Sequence, residues 1–220
     1  MSTYRLVTTW LLILIPLLGL VLAFRARVWQ WPAARGFLLW LAVNLLGNAI
    51  STYVGRVMKV VTYEIGLIAL PLQVLAVAVA LCGLATDRRH CRRVMIGTGI
   101  YLAALAAALL LGEVSHWSLV YLFRSPYALF VVVGCGYAYV ERTARATVSF
   151  RSDGARLALV GVLVAVVPVL VLELAMWGMM QFDEMAAAQA VSGVRVAVMI
   201  GGYLLVTLSF RQPWTFARSG

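Results

Sequence analysis

Arg124 lies in the apolar run LVYLFRSPYALF and Glu173 in the apolar run VPVLVLELAMW. A guanidinium in hydrocarbon costs roughly 3 to more than 10 kcal/mol depending on how it is measured, so it persists where it faces protein and has a partner. Helical spacing gathers further polar groups. Asn44, Asn48 and Ser51 recur at i, i+4, i+7 on one face; Tyr121, Arg124 and Tyr127 follow at i, i+3, i+6. Glu173 and Trp177 share a face, Glu64 opens the third apolar run, and Arg195 opens the seventh. The chemistry these types support is capture of a small anionic or amphipathic ligand. Arg124 would be the ligand-facing cation, with Glu173 and then Glu64 as its partners when empty. Asn44, Asn48, Tyr121 and Tyr127 would add neutral hydrogen bonds, and Trp177 an apolar wall. Pro126 has no N–H to give the carbonyl of Leu122, which suits a local polar pocket, and Ser125 is placed to satisfy part of that loss. The competing reading is structural: Arg124–Glu173 as an ion pair fixing helix register, and the asparagines as interhelical glue.

Other chemistries find no support. The chain has no G-x-S-x-G, H-E-x-x-H or P-loop and no paired aspartates, so no catalytic constellation is expected. Its one lysine, Lys59, lies outside the seventh run, which excludes a retinal Schiff base. His90 and His116 fall on opposite sides of the expected bundle, so no cofactor or metal site is expected from them. Met176, Met179, Met180 and Met185 read as apolar packing rather than copper(I) ligands. Cys82, Cys91 and Cys135 are expected as reduced, buried thiols.

The elements that must position these residues follow from composition. Of the 220 residues 64% are hydrophobic and only 12% charged, half the usual charged share, which points to a multi-spanning membrane protein. Runs long enough to cross a bilayer occur at about 6–24, 36–54, 61–84, 94–111, 118–140, 157–180 and 192–210. The expected fold is therefore an all-α, seven-transmembrane-helix bundle, one membrane-embedded domain over residues 1–220. Arginines crowd alternate connections: RARVWQWPAAR, TDRRHCRR, ERTARATVSFRSDGAR and the tail. The positive-inside bias then places the N-terminus outside and the C-terminus in the cytoplasm, and it accounts for the net charge of +10 without nucleic acid. The first run is a span and not a signal peptide, because its stronger positive flank follows it. Trp10, Trp29, Trp31, Trp117 and Trp214 are expected as interfacial anchors. Gly97/Gly99, Gly134/Gly136 and Gly201/Gly202 are expected at close helix contacts, and Pro71, Pro126 and Pro168 as candidate helix breaks.

By residue count Arg124 and Glu173 lie at matching depth, roughly 9–10 Å below the outer ends of their helices. The inner half of the bundle is expected to be almost free of polar groups.

In its segments RGFLLWLAVNLLGNAISTY, YEIGLIALPLQ, LFRSPY and LEL the chain resembles a family of short, uncharacterised bacterial seven-helix proteins. More loosely it is similar to the seven-helix sensor modules that precede bacterial kinase or cyclase domains, although no output domain is expected after the seventh run. The expected protein is receptor-like or sensor-like, in the bacterial inner membrane among lipids. A cytoplasmic partner would dock at the third and fifth connections, the latter expected as a solvated loop. The alternatives are a small-molecule transporter or uptake subunit, and a structural or accessory subunit of a membrane complex.

Overall fold

The structure, a computed structural model, describes residues 3–55, 63–85, 87–111, 116–144, 153–181 and 185–214. Among them it is all-helical. The helices are α1 (Thr3–Arg25), α2 (Pro32–Tyr53), α3 (Tyr63–Leu84), α4 (Arg88–Leu111), α5 (His116–Ala144), α6 (Gly154–Gln181) and α7 (Met185–Ser209). Six of them, all but α5, are long and apolar enough to cross a membrane. The fifth, which carries Arg124, is 29 residues long. The chain is thus a multi-pass bundle.

Local chemistry sets the helix starts. Pro32 occupies the first turn of α2, where its missing N–H costs nothing. Arg27 breaks the chain before it with a left-handed φ of 53°. Asp87 caps α4 by accepting from the Arg89 N–H at 2.9 Å. That cap draws Arg88, Arg89, Arg92 and Arg93 into the first turns of α4, where a loop was expected. The prolines are inside continuous helices, Pro71 in α3, Pro126 in α5 and Pro168 in α6, so the candidate helix breaks are not present there.

The helices α1, α2, α3, α5, α6 and α7 form a closed ring in that order, with α7 returning to α1. The remaining helix, α4, packs outside the ring on α3 and α5, and α2 touches α6 across the interior. Without a hydrophobic force between helices in lipid, small residues decide which pairs approach closely. Gly36 of α2 lies directly on the backbone of Ala80 in α3, and Gly83 lies on that of Ala33. On the other side of the ring, a Cβ at Gly202 of α7 would meet the Ala165 nitrogen and the Gly161 carbonyl of α6, each at 2.7 Å. Of the expected glycine contacts, Gly134 and Gly202 are close and Gly97 has ordinary contact, whereas Gly99, Gly136 and Gly201 face open space. Large apolar side chains such as Leu18, Phe24, Ile68, Ile100, Leu129 and Val171 cover the outside, as a hydrocarbon solvent requires.

The arginine-rich end of the bundle is more structured than the sequence indicates. Asp153 caps α6 through the Ala155 N–H at 3.0 Å and pairs with both Arg142 (2.7 Å) and Arg156 (3.1 Å). Asp153 and Arg156 are both buried, so this part of the fifth connection is not a solvated loop. The cause is local: one carboxylate satisfies the first N–H groups of α6 and two guanidiniums together. The chain after α7 folds back beneath this cap, with the Gly154 N–H donating to the Pro213 carbonyl at 3.2 Å. Trp214 is consequently buried against Phe37 and Phe210 instead of anchoring at the interface. Trp10, Trp29 and Trp31 are exposed, and the Trp117 side chain lies outside the described residues.

The cysteine expectation is corrected too. Cys82 and Cys91 are joined as a disulfide with Cα atoms 4.6 Å apart, because the short α3–α4 connection sets the last turn of one helix against the first turn of the next. Cys135 is the free, buried thiol that was expected.

Candidate functional site

Glu173 of α6 is 1% exposed and is the focus of the charged residues within the bundle. Its Oε1 accepts from Arg124 Nη1 of α5 at 2.6 Å and from Arg195 Nη1 of α7 at 2.7 Å. The ring order puts α5 and α7 on either side of α6, so two helices can present cations to one carboxylate. Arg124 and Arg195 keep partial exposure, whereas Glu173 Oε2 and Arg195 Nε are buried with no hydrogen-bond partner. Among the described residues, two guanidiniums against one carboxylate leave the cluster one positive charge in excess. In a low-dielectric interior such an excess is costly, and a further anion would relieve it.

A neutral network adjoins the triad. Asn44 of α2 donates from Nδ2 to the Trp40 carbonyl at 2.7 Å. Its Oδ1 accepts from Tyr203 of α7 at 2.9 Å and from Gln73 Nε2 of α3 at 3.0 Å. The Trp40 indole N–H donates to the Tyr127 hydroxyl of α5 at 3.0 Å. Since an indole can only donate, the Tyr127 hydroxyl hydrogen is left to point elsewhere. A third tyrosine, Tyr101 of α4, donates to the Phe123 carbonyl at 3.1 Å, one residue from the carbonyl that Pro126 deprives of its N–H.

Between the triad and this network lies a cavity of about 50 Å³. Arg124 and Glu173 line it, and Asn44, Gln73, Tyr127 and Tyr203 supply further polar groups. Val166, Val169, Leu170 and Met199 make the apolar wall. By residue count the cavity reaches from the triad to the middle of α2, since Asn44 lies roughly 18 Å along a helix of roughly 33 Å.

The structure therefore joins Asn44, Arg124, Tyr127 and Glu173 around one space and adds Arg195 behind Glu173. Asn48 is half-buried and donates to the Leu12 carbonyl of α1 at 3.4 Å. Ser51 is half-buried farther along α2, and neither Asn48 nor Ser51 lines the cavity. The side chains of Glu64, Tyr121 and Trp177 lie outside the described residues. Sequence reasoning missed Trp40, Gln73 and Tyr203. Gln73 carried a visible signal, as the amide in the otherwise apolar stretch LIALPLQVLAVAVAL. Trp40 and Tyr203 carried none, because an aromatic residue in a span reads as packing. Among the described residues no three metal-ligating side chains come together. Compared with protein-family models, with curated proteins and with solved structures, the chain matches none of them.

Proposed function

We propose that this chain is a receptor-like or sensor-like membrane protein that binds a small anion in the cavity beside Arg124, Glu173 and Arg195. The observation that carries this reading is the imbalance of the triad, two guanidiniums sharing one oxygen of one buried carboxylate. Arg124 lines the cavity and its side chain is 36% exposed, so an anion in the cavity can reach its unused N–H groups. In the empty state Glu173 holds both arginines; an arriving anion neutralises the remaining charge and loosens that grip. Because the arginines sit on α5 and α7 and the carboxylate on α6, the exchange acts on three helices at once.

On this reading the arginine-rich end faces the cytoplasm of a bacterial inner membrane. The first turns of α4 and the α5–α6 connection there would meet a cytoplasmic partner. This agrees with the resemblance to bacterial seven-helix sensor modules. A transporter draws less support, since helices broken at the midplane are its usual device and the internal prolines lie in continuous helices. A structural brace is the second reading, favoured by the short contacts of Glu173 with both arginines.

The test is thermal unfolding of the purified protein in lipid nanodiscs with sodium acetate, chloride and phosphate, for the wild type and Arg124→Ala. Saturable stabilisation of the wild type by at least one anion, lost in Arg124→Ala, is the expected result. No stabilisation by any of the three would leave the brace as the better account.

A further inference from the structure

We infer that the anion is a short-chain monocarboxylate, seated with its carboxylate on Arg124 and Tyr127 and its alkyl tail on the apolar wall. This rests on the anion-binding reading above and assigns the ligand's class.

Charge is the first constraint. The triad exceeds neutrality by one positive charge, so a monoanion brings the site to zero, while a dianion such as hydrogen phosphate or sulfate overshoots and leaves a buried negative charge. Size is the second. A water needs a cavity of roughly 10–15 Å³, so about 50 Å³ holds only a few water-sized groups. Acetate and propionate fall in this range; a six-carbon acid does not.

The walls give the third constraint. Arg124 gives Nη1 to Glu173 and has a planar fork of further N–H donors suited to two carboxylate oxygens. The Tyr127 hydroxyl already accepts from Trp40, so its own hydrogen is available to a carboxylate oxygen in the cavity. Val166, Val169 and Leu170 lie one to two turns from Glu173 along α6, and with Met199 they give the cavity its apolar lining. A halide would meet the donors and leave the apolar lining uncovered, whereas a methyl or ethyl tail packs against it. Guanidinium and hydroxyl donors together with hydrocarbon in one small cavity suit a short carboxylate with an alkyl tail.

The experiment is a nanodisc thermal-shift titration with the sodium salts of acetate, propionate, hexanoate, chloride and phosphate, ionic strength being held by a bulky sulfonate. Acetate and propionate should bind saturably, with hexanoate, chloride and phosphate at least about tenfold weaker. Tyr127→Phe should weaken propionate about tenfold or more, the usual loss for a hydrogen bond to a charged group. Because Tyr127→Phe also strips Trp40 of its acceptor, Leu170→Ala provides an independent arm. It enlarges the cavity at an apolar lining residue, so it should bring hexanoate to within about threefold of propionate. Chloride or phosphate binding without the carboxylates would overturn the ligand class and keep the anion site. Failure of every anion would overturn the site itself. Unchanged chain-length preference in Leu170→Ala, or unchanged propionate affinity in Tyr127→Phe, would overturn this seating of the carboxylate and its tail.

Discussion

Removing the Glu173 carboxylate is the most informative single change, because the geometry makes its effect asymmetric. The Nη1 atoms of Arg124 and Arg195 lie 2.6 and 2.7 Å from one oxygen, so they are no more than about 5.3 Å apart. In Glu173→Gln the two guanidiniums face each other without a counter-charge. At an effective dielectric of about 20 and about 6 Å between charge centres, their repulsion is about 2–3 kcal/mol. Arg124 is 36% exposed, so solvent screening places the effect at the lower end. Loss of the ion pairing adds to this, giving a total of about 3–5 kcal/mol, the usual cost of stripping one partner from a buried pair. Arg195→Gln, by contrast, leaves the neutral Arg124–Glu173 pair intact and should cost only about 1 kcal/mol. The double variant Glu173→Gln/Arg195→Gln should be more stable than Glu173→Gln alone, because the repulsion is gone. Unfolding can be followed with a thiol-reactive dye, since Cys135 is free and buried in the folded state. If Glu173→Gln unfolds no earlier than Arg195→Gln, or the double variant is less stable than Glu173→Gln alone, the repulsion argument fails.

The neutral network, the helix contacts and the disulfide give further expectations. Asn44→Val removes the acceptor shared by Gln73 and Tyr203 and should lower stability by about 1–3 kcal/mol, read by the same unfolding assay. Gly36→Ala places a methyl on the Ala80 backbone and should cost about 1–3 kcal/mol or more, whereas Gly201→Ala, with open space around it, should be close to neutral. Cys82→Ser opens a disulfide that closes a short loop, worth at most about 2–3 kcal/mol by loop entropy. Denaturing the unreduced protein and alkylating it should label Cys135 alone in the wild type, and Cys91 as well in Cys82→Ser.

Much of the architecture was legible in the sequence because hydrocarbon is a severe solvent. It demands long apolar helices and expels charge, so span positions, and the exceptions to them, show in one dimension. Arg124 and Glu173 could be paired across an unread fold because residue count converts directly into depth. Depth leaves the direction around the helix undetermined. Arg195 was therefore recognised as a site residue, yet its bond to the Glu173 oxygen already held by Arg124 was not foreseen. Loop positions were less legible: the arginines at 88–93 looked like a connection until the Asp87 cap turned them into helix.

By itself, then, the sequence determined an all-helical multi-pass chain with a few polar residues at membrane depth, because every apolar run and every exception to it is written locally. Tertiary structure decided the rest. The close approaches at Gly36 and Gly202 help select which helices adjoin, with α4 left outside the ring. That order brings α5, α6 and α7 together so that one carboxylate faces two arginines, and it sets Asn44 against Gln73 and Tyr203 from two other helices. A cavity between those groups is a property of side chains meeting from different helices, which packing creates and no single stretch of sequence contains.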